Sequence, residues 1–298
     1  MCWLCDAKQT TSSLPVTDAA ADDRPQHLWS SRRGFLRAAA AGAASTVAGT
    51  AVAQVDVGKS SAIRKLVPAE TLERAALQQY RQMLQEAEAQ KALAPANHPQ
   101  LKMLHGIARQ LVPQTTVWND RSRSWKWEVN LIGSSQMNAF CMPGGKIVFY
   151  TGILDKLKLS EDEAAMIMGH EMAHALREHS RERLAKSQAT SIGLSLGAQL
   201  LGLGDLGNVA ADLGTKLLSL KFSRDDETEA DLVGLELAAR AAYEPQASVT
   251  LWQKMTAASG GGGLGFLSTH PTGPNRVSEL QANVPKVQHL FEQARRGG

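Results

Sequence analysis

The sequence predicts an α+β fold, predominantly helical, with a short β-sheet lying beside one central helix. Two observations carry this. Stretches rich in Ala, Leu, Glu and Gln recur along the chain, punctuated by prolines and glycines, whereas β-branched and aromatic runs are few, short and confined to the middle. The 298 residues, 43% of them hydrophobic, suffice for one sizeable core, or one core with a small appendage.

The first 53 residues read as a leader, separate from a domain over residues 54–298. Ser31-Arg32-Arg33-Gly34-Phe35-Leu36-Arg37 precedes a mildly apolar stretch of alanine and glycine, the pattern of a twin-arginine export signal. Ala51-Val52-Ala53 ahead of Gln54 has the small-x-small form of a cleavage site. The expectation is export to the periplasm. The competing readings are an alanine-rich helix or a short retained anchor, and the stretch is near the lower limit of a membrane span.

Charge excludes one class of function. There are 32 basic and 29 acidic residues, for a net charge of +3, with no polybasic run and no aromatic-interleaved basic stripe. Nucleic-acid binding therefore has no electrostatic support. Two of the three cysteines, Cys2 and Cys5, precede the expected cleavage site, which leaves Cys141 alone. Cys2 and Cys5 make at most half a metal site, and Cys141 reads as a small buried hydrophobe.

Taken in order, residues 70–93 form a helix closed by Pro95 and Pro99, and residues 100–111 a second that stops before Pro113. Residues 125–132 alternate as a strand. Residues 138–145 break regular structure, and Lys146-Ile147-Val148-Phe149-Tyr150 is a second strand. A short helix follows from Thr151. Ser160 and Glu163 have the spacing of a capping box, opening a helix that runs to about residue 185. Residues 190–220, apolar but glycine-spotted, suit a surface hairpin, a lid or a membrane-touching loop. Helices follow over residues 224–243 and 246–258, then a glycine linker at 260–265, and two closing helices around 274–282 and 285–295.

The chemistry concentrates in His170-Glu171-Met172-Ala173-His174. Histidines four apart on a helix emerge from one face about a turn apart, so both can reach one zinc ion. The surrounding Ala164, Ala165, Ile167, Met168, Met172 and Ala173 imply burial, and buried imidazoles need a partner. A catalytic zinc takes a third protein ligand. In residues 225–231, Glu227 and Asp231 share a helix face with Gly234, Leu235 and Ala238, small enough for close approach to the first helix. Glu229 falls on a stripe with Val233, Glu236 and Arg240 that reads as solvent-facing. Glu227 is thus the expected third ligand, Asp231 the carboxylate that holds a ligand histidine by its other nitrogen, and Glu229 the reserve candidate. Glu171 is the expected general base, taking a proton from the attacking water and returning it to the departing amine. His270, in a proline-bounded loop after the glycine linker, is left with three roles: oxyanion stabiliser, displaceable fourth ligand or helix cap. Strand 146–150 is the candidate edge for an extended peptide, with Gly144 and Gly145 letting its backbone pass.

Four segments together resemble one family: residues 138–152, 169–175 and 222–231, and Ser268-Thr269-His270-Pro271 with Arg276. They are similar to the gluzincin metallopeptidases that include HtpX and the CAAX prenyl endopeptidases, and most to the soluble, exported BepA-like members. The resemblance covers roughly residues 70–285. It implies a mostly helical zincin-like body with a short sheet, and one zinc held by His170, His174 and Glu227. It also implies Glu171 as catalytic glutamate, Asp231 as supporting acid, and His270 as a loop histidine that can approach the metal. The implied activity is endopeptidase action on misfolded or unassembled envelope proteins, with protein or peptide substrates and peripheral contact with membrane or outer-membrane proteins. The alternative is a non-hydrolytic zinc-binding chaperone or scaffold on the same fold.

Overall fold

The computed structural model describes residues 55–189, 216–259, 265–271 and 275–297. The twin-arginine leader, the cleavage motif, most of the apolar stretch at 190–220 and most of the glycine linker lie outside these residues. Among the described residues no helix is long and apolar enough to cross a membrane.

Helix α1 (Ala69–Ala89) buries Leu72, Ala76 and Tyr80, and α2 (Pro99–Leu111), with proline at its first turn, buries Leu104, Ile107 and Leu111. Strands β1 (Glu128–Ile132), β2 (Ala139–Met142) and β3 (Lys146–Tyr150) form a three-stranded sheet in the order β1-β3-β2. β1 runs parallel to β3, with Asn130 opposite Val148, and β2 antiparallel to it, with Cys141 opposite Ile147.

Two expectations fail here. Residues 138–145 contain a strand, because Met142-Pro143-Gly144-Gly145 is a tight hairpin turn closed by Gly145 N–H donating to the Met142 carbonyl. And β3 is the central strand, paired on both sides, so it has no free edge. Gly144 (φ +84°) and Gly145 (φ +77°) serve that turn. A Cβ on Gly145 would stand 2.7 Å from the Trp127 ring.

Next come α3 (Thr151–Lys156), α4 (Glu161–Leu176) and α5 (His179–Ala189). The helix expected to run on to residue 185 is broken after Leu176. Glu178 adopts φ +59°, and its carboxylate is held by Arg64 at 2.8 Å and Arg181 at 2.9 Å. The body closes with α6 (Arg224–Arg240), α7 (Ala247–Ser259), α8 (Gly265–Thr269) and α9 (Arg276–Gly297). α9 continues through Pro285, where two helices were expected. Leu280, Val287 and Leu290 are buried on either side of the proline, so packing overrides the lost backbone hydrogen bond.

The core sits between the sheet, α2, α4 and α6, and includes Leu104, Leu131, Phe149, Ile167, Met168 and Val233. α4 and α6 are the most closely associated helices because glycine faces glycine where they cross. A Cβ on Gly169 would lie 2.8 Å from the Gly234 carbonyl oxygen. The chain at 55–58 is tied to the same pair: Val55 N–H donates to Glu236 at 2.8 Å and Arg177 donates to the Gly58 carbonyl at 2.8 Å.

Candidate metal centre

Both helices that build the site start on capping boxes. Ser160 accepts from Glu163 N–H at 3.2 Å while the Glu163 carboxylate accepts from Ser160 N–H at 2.9 Å. Ser223 and Asp226 repeat the arrangement on α6 at 3.2 and 2.8 Å. From Glu163 to Leu176 every residue of α4 is buried. His170, Glu171 and His174 therefore project into the protein interior, and Glu227, four residues beyond the Ser223 cap of α6, meets them there.

His170, His174, Glu227 and His270 each contribute one potential ligand atom, and all four atoms lie within 4.8 Å of one another, buried. His174 Nε2 is 3.1 Å from His170 Nε2, and His270 Nδ1 is 3.3 Å from His170 Nε2. The Glu227 oxygens lie 3.5 Å from His170 Nε2 and from His174 Nε2, and 3.0 Å from His270 Nδ1. A tetrahedral zinc with bonds near 2 Å spaces its ligand atoms by about 3.3 Å, so this donor set fits one Zn²⁺. The imidazole protons support the fit. In the neutral ring His170 Nδ1, 3.0 Å from Asp231 Oδ1, donates to it, and the Nε2 lone pair then faces a second imidazole nitrogen. Such facing lone pairs repel unless a cation or proton lies between them.

The electrostatics follow from burial and close charges. Burial alone would depress His170, but hydrogen bonds to Asp231 and Glu227 lift it to about 9. Burial also favours neutral Glu227, yet hydrogen bonds from His170 and His270 hold its carboxyl far below the usual range. His174, fully enclosed, is pushed well down by burial. Glu171 is pushed up by burial, against the opposing pull of His270 and His170. Its Oε1 is buried with no hydrogen-bond partner, and the closest imidazole nitrogen, His270 Nε2, stands 3.4 Å away.

Glu171, His174 and His270 line a cleft of about 240 Å³, bounded also by β2 residues Ala139 to Met142 and by Leu217 and Phe222. Phe222 stacks on His174 with ring centroids 3.9 Å apart. β2 is an edge strand on this side, since only β3 pairs with it among the described residues.

Asp231 stands behind His170, its Oδ1 3.0 Å from His170 Nδ1. Glu229 is outside the cluster, its carboxylate paired with Arg177 and 3.3 Å from His179 Nε2. The stripe expected to face solvent does not: Val233 and Glu236 are both 0% exposed, because Arg240 reaches back to neutralise Glu236 at 2.8 Å. Sequence reasoning assigned no role to three further residues. Arg276 Nη1 donates to Glu227 at 3.0 Å and Nη2 to Asp231 at 2.7 Å, with its guanidinium 3.3 Å over the Trp252 ring. Arg177 and His179 lie beyond the helix break, which no local pattern signals.

A mostly helical body, a small sheet and a buried His/His/Glu/His cluster on two crossing helices define a zincin-type metallopeptidase fold. Residues 98–284 match the profile of peptidase family M48, and the chain belongs to that family. It is 36% identical over 199 residues to the mitochondrial metalloendopeptidase OMA1 of Schizosaccharomyces pombe, covering 66% of this chain and 56% of that protein. It is 31% identical over 220 residues to the OMA1 of Saccharomyces cerevisiae, covering 70% and 62%. The beta-barrel assembly-enhancing protease of Escherichia coli is 24% identical over 176 residues, covering 55% and 36%. The chain thus spans less than two thirds of the length of these relatives. Identity to the OMA1 proteins exceeds that to the beta-barrel assembly-enhancing protease, so it does not single out the BepA-like group that the motifs suggested.

Proposed function

We propose that this chain is a zinc-dependent endopeptidase that hydrolyses peptide bonds in protein substrates. The observation that carries the reading is the Glu171 carboxylate: buried, without a hydrogen-bond partner at Oε1, and opening on the cleft beside the four-donor cluster. A purely structural zinc site has no use for such a group, which argues against the chaperone or scaffold alternative.

His170, His174 and Glu227 are the proposed ligands. Zinc, when bound there, supplies Lewis acidity toward water and the scissile carbonyl. Glu171, its basicity raised by burial, accepts a proton from the attacking water and passes it to the leaving amine. Asp231 and Arg276 hold His170 and Glu227 in place. The free edge of β2, in place of the β3 edge expected from sequence, receives an extended peptide by main-chain hydrogen bonds.

His270 fills the fourth position around the cluster, with its ring packed at 4.4 Å on Phe266. Were all four donors to hold the ion, no position would be left for water, and His270 would withdraw before substrate enters. The relatives, two metalloendopeptidases and a beta-barrel assembly-enhancing protease, support proteins as substrates. Misfolded or unassembled envelope proteins are the proposed targets, and the twin-arginine motif supports a periplasmic site of action.

The test compares the wild-type chain with Glu171→Gln on an unfolded protein such as casein in the presence of zinc. The variant is expected to keep its zinc and lose at least about 100-fold in cleavage rate. Equal cleavage by the two proteins would remove Glu171 as the base.

A further inference from the structure

The hydrogen bonds behind the two ligand histidines are not alike. His170 is backed by a carboxylate, Asp231, at 3.0 Å. His174 is backed by another imidazole: its Nδ1 lies 2.9 Å from Nδ1 of His179, which is 1% exposed. With His174 Nε2 turned to the cluster, its proton sits on Nδ1, and His179 Nδ1 must accept it. That forces His179 into the Nε2–H tautomer. Its Nε2 lies 3.3 Å from Glu229 Oε2 but makes no hydrogen bond there, so the carboxylate acts on it by charge alone. The Glu229 carboxylate is in turn held by Arg177, which also grips the Gly58 carbonyl.

We propose that His179 is a positioning residue for the metal centre: packed between Glu229 and His174, it accepts from His174 Nδ1 and so fixes the tautomer and orientation of that ring. The backbone explains how it gets there. Five residues along an unbroken helix would turn His179 about 140° away from His174. The break at Glu178, with its φ of +59°, swings it back against the ligand. Phe222 closes the other side, 3.9 Å from the His174 ring and 6.3 Å from the His179 ring. Glu229 is thereby assigned as the carboxylate whose charge faces the far side of the His179 ring.

The proposal rests on His174 being a zinc ligand, and the experiment separates the two. In the zinc-loaded wild-type protein labelled with ¹⁵N-histidine, ring nitrogen shifts are expected to show His174 protonated at Nδ1 and His179 protonated at Nε2 only. A proton on His179 Nδ1 would overturn the proposal, and this reading needs no variant to fold. Zinc dissociation constants are then measured by chelator competition. His179→Leu, which removes the acceptor, is expected to weaken zinc by about 10–100-fold. His179→Gln, whose amide oxygen can still accept from His174 Nδ1, is expected to remain close to wild type. Equal affinity of wild type and His179→Leu, or equal loss in both variants, would contradict the positioning role. A wild-type protein that takes up no zinc would remove the ligand assignment itself, and the proposal with it.

Discussion

Gly234 of α6 lies so close to His170 that a Cβ on it would stand 2.6 Å from the His170 backbone nitrogen. Metal geometry in this protein is thus set by a helix crossing before any side chain is placed. Gly234→Ala must push α6 away from α4. The expected cost is about 1–3 kcal/mol of stability, as for other overpacked contacts, accompanied by weaker zinc retention. Urea denaturation and metal analysis of the purified variant check this. Unchanged stability and zinc content would show that the crossing tolerates separation.

Arg276 bridges Glu227 and Asp231 from α9, with 6% exposure, so its removal leaves two buried carboxylates facing each other. Arg276→Ala is expected to destabilise the fold by about 3–5 kcal/mol, and Arg276→Lys to recover little, because an ammonium cannot span both carboxylates. Denaturation midpoints for the two variants are the measurement. A lysine variant as stable as wild type would show that charge alone suffices.

Much of this arrangement is legible in the sequence because it is local. The capping box at Ser160, the four-residue histidine spacing and the small-residue face shared by Glu227, Asp231 and Gly234 are all helix-period patterns. What escapes is set by distant partners. The sequence of β3 reads as an edge because the order β1-β3-β2 depends on pairings between separate segments. β2 was missed because Pro143, Gly144 and Gly145 masked a four-residue strand. Glu236 read as a solvent-facing charge because its partners, Arg240 and the Val55 backbone, complete a pairing that spans 181 positions of sequence. His179 was invisible because only a left-handed residue, Glu178, turns it inward.

Tyr80 gives a pH prediction away from the metal. Its side chain is 0% exposed, and its hydroxyl accepts from Asn130 Nδ2 at 2.6 Å. Burial raises its pKa to about 12. Below the unfolded value near 10 both states keep the proton, and stability does not respond to this group. Between pH 10 and about 12 the unfolded chain loses a proton that the folded chain retains, so stability falls as pH rises, by on the order of 2 kcal/mol. Chemical denaturation across this range is expected to show that fall in wild type and a shallower one in Tyr80→Phe. Parallel profiles would contradict it.

The proposed zinc ligands are His170, His174 and Glu227, with Glu229 set apart. Metal content after exhaustive dialysis tests this assignment most directly, in wild type, Glu227→Ala and Glu229→Ala. About one zinc per chain is expected in wild type, with a large loss in Glu227→Ala and far greater retention in Glu229→Ala. Equal zinc content in the two variants would contradict the assignment of Glu227 as the third ligand.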